Sequence, residues 1–298
     1  MRSIMTAATI AVLATLTACG ASRQSGLCAD DLYSKGTLQG DAGAAEKEGE
    51  AHWAKRSDPA ELRKAIEAWD RAVQIDPSNT DLMVRLSRAW YFLGDGHLRF
   101  DEEKKADMLA AFEKGTYWAE VALRGKNAEF RKRVCASEPF DKALKVVDKK
   151  SVPALYWYAT NLGKWGLASS LINVLENKDK VAAMIGAARK LDPTYFYGAP
   201  DRYFGAYYTK IPFPNGDPKR SKKHFQRALK IEPNYFATRV LMAEMLAPKL
   251  KDRAMFEEQL QFVINAKPDV IPELQAEQEI EQRKAKELYE DIDVLFEE

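Results

Sequence analysis

The sequence predicts an all-α protein, a superhelical stack of antiparallel helical hairpins closed by a C-terminal capping helix. Three observations predict it. A helix ending recurs: Ala72-Val73-Gln74-Ile75-Asp76-Pro77, Ala188-Arg189-Lys190-Leu191-Asp192-Pro193 and Ala228-Leu229-Lys230-Ile231-Glu232-Pro233, with a weaker copy from Val263 to Pro268. The first three copies place a small residue five positions before a proline and an aliphatic residue two before it. Upstream of these endings, small and bulky residues share one helical face, as in Ala65, Trp69 and Ala72, and in Ser221, Phe225 and Ala228. Almost no segment shows the alternation of a strand. The physics of the ending is direct: a small residue lets a neighbouring helix approach closely, and the proline turns the chain by biasing its predecessor away from the helical region.

Repeats of this kind cannot bury their apolar faces alone, so they stack, and stacking leaves a concave surface or channel. The endings match the second helix of a tetratricopeptide-type hairpin. Gly115, Ala119 and Ala122 form a similar stripe, with Asn127 in place of the proline. First helices are visible as well. Leu82, Leu86, Trp90 and Leu93 share a face that Gly94 is expected to terminate; Trp157, Asn161 and Trp165 are spaced by four; Val240, Met242, Met245 and Leu246 precede Pro248. The last helix is expected to begin after Pro272 and run to about Phe296 with a charged outer face. The pattern is least regular between residues 78 and 150.

The N-terminus carries a different signal. Met1-Arg2 precedes an uncharged run from Ser3 to Ala18, too short for a bilayer span and typical of a secretory leader. The following Leu16-Thr17-Ala18-Cys19-Gly20 resembles the lipobox of bacterial lipoproteins, in which the cysteine is acylated and becomes the new N-terminus. The expected organisation is a signal peptide over 1–18, lipidated Cys19 and a flexible tether over 19–44, and a helical domain over 45–298. Several acyl chains hold a protein to a membrane almost permanently. Gly20 is not the aspartate associated with inner-membrane retention, so the expected location is the periplasmic face of the outer membrane. Two other cysteines, Cys28 and Cys135, are compatible with one disulfide in an oxidising compartment or with two buried thiols.

Motifs for chemistry are mostly absent. The three histidines, His52, His97 and His224, are far apart and form no metal-ligand pattern. His97 sits in Leu93-Gly94-Asp95-Gly96-His97, expected to be a solvated turn, and His224 is expected at a surface or interface. There is no nucleophile elbow or phosphate-binding glycine loop, so no catalytic residue, metal or cofactor is expected. Lys and Arg number 45 against 44 Asp and Glu, which offers no basic excess for nucleic acid. The unusual feature is aromatic density: Tyr156-Trp157-Tyr158, Tyr195-Phe196-Tyr197, Tyr203-Phe204, Tyr207-Tyr208 and Phe213. Most would fill helix–helix cores. So many amphipathic rings in consecutive hairpins also suit a groove or pore for an apolar or mixed ligand. Trp157, Tyr158, Asn161, Trp165, Tyr203, Tyr207 and Tyr208 are the candidate lining residues.

Several separated segments resemble one family. Pro153–Trp165, Gly198–Pro212 with Phe204-Gly205-Ala206-Tyr207-Tyr208, Gly216-Asp217 with Ser221–Phe225, and the closing Lys284–Leu288 and Ile292–Phe296 are similar to the T-component proteins associated with TRAP transporters, over roughly residues 45–298. The resemblance implies a lipid-anchored periplasmic protein of cryptic tetratricopeptide hairpins that associates with the solute-binding subunit of a TRAP transporter. It also implies a trimeric assembly with a ligand-accessible cleft or pore in each protomer, and transport systems that commonly move organic acids. The competing expectation is a general scaffold lipoprotein for outer-membrane assembly, with a polar groove for an extended peptide. An enzyme would instead need a cleft of convergent titratable groups.

Overall fold

The computed structural model describes residues 25–29, 38–212 and 214–296. The leader, Cys19, most of the tether and Phe213 lie outside the described residues.

The described chain is a succession of helices with no strand. The first is α1 (Ala42–Trp53), followed by α2 (Pro59–Ile75), α3 (Thr80–Phe92) and α4 (Lys105–Lys126). Two short helices, α5 (Ala128–Cys135) and α6 (Phe140–Ala143), lead to α7 (Val152–Ser169) and α8 (Leu171–Leu191). Then come α9 (Tyr195–Lys210), α10 (Pro218–Ile231), α11 (Phe236–Leu241), α12 (Ala247–Leu250) and α13 (Arg253–Asn265). The chain closes with α14 (Gln275–Glu290) and α15 (Ile292–Leu295). Sequential helices pack as hairpins, α1 on α2, α3 on α4, α7 on α8 and α9 on α10, and α4 packs across on α7.

The helix ends follow the local chemistry. α2 and α10 both start with proline at the first helical position behind a capping aspartate, Asp58 accepting from the Ala60 N–H and Asp217 from the Arg220 N–H. α2, α8 and α10 stop two residues before Pro77, Pro193 and Pro233. Small residues bring paired helices together. In the α3–α4 hairpin Ser87 Oγ donates to the Gly115 carbonyl at 2.6 Å. In the α9–α10 hairpin Ser221 Oγ donates to the Gly205 carbonyl at the same distance. A Cβ on Gly205 would stand 2.7 Å from the ring of the fully buried Phe225, so only glycine permits that approach. Phe225 and Phe236 anchor the second core cluster, which runs from α10 to α15. Phe225→Ala is expected to cost about 3–5 kcal/mol of unfolding free energy, read by urea denaturation, because the close-packed helices collapse only partly around the void.

Four details differ from the sequence expectation. Gly94 does not end its helix: α3 runs into a π-helical turn at Leu93–His97, in which His97 is half-buried and its Nε2 pairs with the Arg56 carbonyl at 3.0 Å. A second π-helical turn, Met242–Leu246, lies between α11 and α12. His224 is buried and its Nδ1 meets Asp201 at 2.6 Å. The C-terminal helix breaks at Asp291, and part of its charged surface turns inward, as described below.

Within the expected tether, Gly26–Cys28 forms a single 3₁₀ turn packed on α4. Buried Glu120 accepts from Ser25 Oγ and the Gly26 N–H, each at 2.9 Å, and from Tyr158 Oη. Arg124 donates to the carbonyls of Gly26 and Ala29. The structure joins Cys28 and Cys135 in a disulfide, with their Cα atoms 5.6 Å apart.

Candidate functional site

A cleft opens between the C-terminal end of α3, the inner faces of α7, α9 and α11, and α14. Its space open to the centre of a water molecule is about 140 Å³. A dry apolar cavity of about that size holds a single benzene-sized ring.

α7 shapes one wall. Tyr156, Thr160, Gly163, Lys164 and Leu167 recur at helical spacing and face the cleft, with Trp157 at the edge of that stripe. Aromatic rings continue the wall. Trp157 lies 5.3 Å from Tyr91 and 5.3 Å from Phe196, and Phe196 lies 5.9 Å from Tyr235. Gly163 makes room for Tyr203, whose Oη donates to the Ala159 carbonyl at 3.2 Å; a Cβ there would collide with the phenol. Burial pushes the phenols of Tyr195, Tyr203 and Tyr235 well above their usual range, so they act as neutral groups.

The start of α9 contributes a strained element. Phe196, Tyr197 and Gly198 carry φ values of 43°, 59° and 74°, three successive left-handed residues, two of them aromatic. Such conformations cost about 1–3 kcal/mol each for residues with a Cβ, and persist only where the surroundings enforce them. Here Arg202 enforces them: it donates to the Tyr197 carbonyl at 3.0 Å and to the Phe196 carbonyl at 3.3 Å, while the Tyr197 ring stacks on Tyr235 at 5.4 Å. The result aims Phe196 into the cleft.

The charged floor comes from the π-helical turn after α3 and from α14. Asp95 accepts from Lys164 at 2.6 Å, Lys284 at 2.7 Å and Tyr91 Oη at 3.0 Å, with Arg99 at 3.7 Å. Lys284 also donates to Glu281 at 2.7 Å. Glu277 is shared by Arg56 and Arg88, each at 2.6 Å. Burial by itself would raise the Asp95 carboxyl; Lys164, Lys284 and Arg99 outweigh it and hold the group well below the usual 3.8. Burial would likewise lower Lys284, but Asp95 and Glu281 outweigh it and raise the amine above 10.5. These shifts run away from neutrality. A general acid or base works best with a pKa near the working pH, so neither group is poised for proton transfer. Among the described residues no group of three or more His, Cys, Asp or Glu is placed to hold a metal ion.

Of the candidate residues named from the sequence, Trp157, Tyr203 and Tyr207 meet in the cleft. The other four lie elsewhere. Tyr158 is fully buried against Glu120. Asn161 is fully buried, its amide donating to the Ser87 and Trp157 carbonyls. Trp165 is in the core. Tyr208 packs on His224 and Phe204 under Arg220. Sequence reasoning passed over Asp95, Arg202, Glu277 and Lys284. The last two share the i, i+7 spacing of one helical face with Ile280 between them, a stripe that the charges disguised as solvated surface.

The fold and cleft define an all-α helical-hairpin protein with a cleft that has an aromatic wall and an internally paired charged floor. A sequence model of the TRAP transporter T-component family matches residues 92–296, and the chain belongs to that family. No curated protein matches the chain significantly. Family membership associates the protein with a TRAP transport system, as an accessory component, and accords with a periplasmic-side location. No helix among the described residues is long and apolar enough to cross a membrane.

Proposed function

We propose that the protein is exported with residues 1–18 as leader, anchored through acylated Cys19 to the periplasmic face of the outer membrane, and binds the solute-binding subunit of a TRAP transporter through its helical domain. Its cleft accepts a small apolar or organic-acid ligand passed to or from that subunit. The observation that carries this reading is the aromatic-walled cleft in a member of the T-component family. A polar peptide groove, as a general assembly scaffold would need, fits this wall less well than a small-molecule site does.

The hairpin between α7 and α8 supports the partner surface. Leu167, Leu171 and Ile172 are 46%, 63% and 67% exposed, in the stretch between Leu167 and Val174, both of which line the cleft. Exposed apolar residues clustered at a cleft rim are the kind of surface a protein partner covers. Crosslinking and affinity purification from membranes should recover a solute-binding protein with the wild type. Leu171→Asp with Ile172→Asp should reduce that recovery at least about tenfold, since a charge buried at an interface without a counter-ion is costly. Equal recovery would count against this surface, and no solute-binding protein at all would count against the function. Cys19→Ala should move the protein from the membrane to the soluble fraction. The trimer implied by the family resemblance belongs to the same proposal and is read by native mass spectrometry.

A further inference from the structure

Among the described residues, Arg202 is the one guanidinium lining the cleft that is both buried, at 3% exposure, and met only by neutral groups. Its acceptors are the carbonyls of Phe196 and Tyr197 and the hydroxyl of Tyr156 at 3.3 Å, and its face lies 4.3 Å over the Tyr235 ring. That occupies three of the five N–H donors of the group. No carboxylate of the described residues is within ion-pair distance. The contrast with the rest of the floor is sharp: Asp95, Glu277, Glu281 and Lys284 each have an opposite charge within 3 Å. A buried charge that lacks a counter-ion is costly, and its natural complement is an anion arriving from solution.

One hydroxyl touches it and a second lines the same cleft. Tyr156 accepts from Arg202, and its own O–H has no acceptor among the described residues. Thr160, one turn further along the same face of α7, is 5% exposed, lines the cleft and has a buried Oγ1 with no hydrogen-bond partner. We propose that Arg202, with the Tyr156 and Thr160 hydroxyls, receives the carboxylate of a monocarboxylic acid whose apolar body lies against Trp157, Phe196 and Tyr203. This deepens, and rests on, the reading of the cleft as a ligand site. The restriction to a single negative charge follows from the remaining groups. The other buried cations already face carboxylates, so a second anionic end would be desolvated with no unpaired buried cation to receive it. The cation left at the mouth, Lys210, is exposed to solvent, where it is screened.

The test is calorimetric titration of the purified mature protein with phenylacetate, hexanoate, adipate and benzyl alcohol. The expected order places phenylacetate and hexanoate at least about tenfold tighter than both adipate and the neutral alcohol. Arg202→Met should bring the acids down to the affinity of benzyl alcohol for the same variant. Because Arg202 also holds the left-handed turn, Tyr156→Phe supplies a second variant. It keeps the guanidinium and should weaken the acids severalfold relative to the alcohol. Equal affinity of acid and alcohol in the wild type, or adipate as tight as hexanoate, overturns the proposal even if Arg202→Met fails to fold. Benzyl alcohol binding that Trp157→Ala abolishes, with no preference for the acids, overturns the Arg202 role alone and leaves the ligand cleft standing. No binding of any probe overturns both.

Discussion

Asp95→Ala is expected to destabilise the protein by about 3–5 kcal/mol, the loss that follows when one partner of a buried ionic cluster is removed and its counter-charges stay behind. Asp95 and Lys284 have side chains only 8% and 6% exposed, and Lys164 reaches the same carboxylate from α7. The substitution leaves two ammonium groups and the Arg99 guanidinium without the carboxylate they share. Chemical denaturation reads the loss directly, and a change below about 1 kcal/mol would show that the cluster contributes little beyond its own desolvation cost. The same cluster predicts a pH profile. The folded-state pKa of Asp95 lies well below its unfolded value of 3.8. Its contribution is therefore complete above that value and is lost as pH falls through the folded pKa. Lys284 is raised above 10.5, so its contribution is complete below that value and is lost as pH rises through the folded pKa. Asp95→Ala should remove the acid-side component of the curve that this group supplies. It should also shift the loss at high pH downward, because Lys284 loses the partner that raises it. Cleft binding should weaken in parallel, since Asp95 holds α14 against the turn that follows α3.

Reduction of the Cys28–Cys135 disulfide is the second large effect. The bridge closes a loop with a sequence separation of 107 residues. Chain entropy assigns a loop of about 100 residues a ceiling of about 4.7 kcal/mol, and removals from native proteins typically cost about 2–5 kcal/mol. The pair is well placed for it. The Gly26–Cys28 turn is held to α4 by Glu120 and Arg124 independently of the sulfurs, so most of the stabilisation comes from restricting the unfolded chain. A thermal melt should drop on adding reductant in the wild type and be unaffected in the Cys28→Ser, Cys135→Ser double variant, which should melt where the reduced wild type does. A wild-type melt indifferent to reductant would show that the thiols are not bonded.

Much of the architecture was legible in the chain. The hairpin endings at Pro77, Pro193 and Pro233 are where α2, α8 and α10 stop, because capping, proline geometry and helix periodicity act within a few residues. The small residues Ser221 and Ala228 and the bulky Phe225 all face the core as their spacing predicts. The cleft was legible only in part. On α7 the visible stripe was Trp157, Asn161 and Trp165, and of these Asn161 and Trp165 turn into the core. The cleft face is the neighbouring stripe of Tyr156, Thr160, Gly163 and Lys164, one residue or about 100° away. Both stripes are amphipathic enough to be either, since α7 is buried nearly all round and periodicity then carries no sense of direction.

The amino-acid order by itself determined the class of fold, the places where hairpins end and the spacing that lets helices approach, because each depends on interactions among near neighbours in the chain. Only the tertiary structure decided that α14 turns back to meet the α3 region. There Lys284 joins Asp95 across 189 positions and Glu277 joins Arg56 across 221. Such pairings carry no local signature, for a lysine on a helix looks the same whether it faces water or a buried aspartate. The selection is made by desolvation and by charges that arrive from distant parts of the chain.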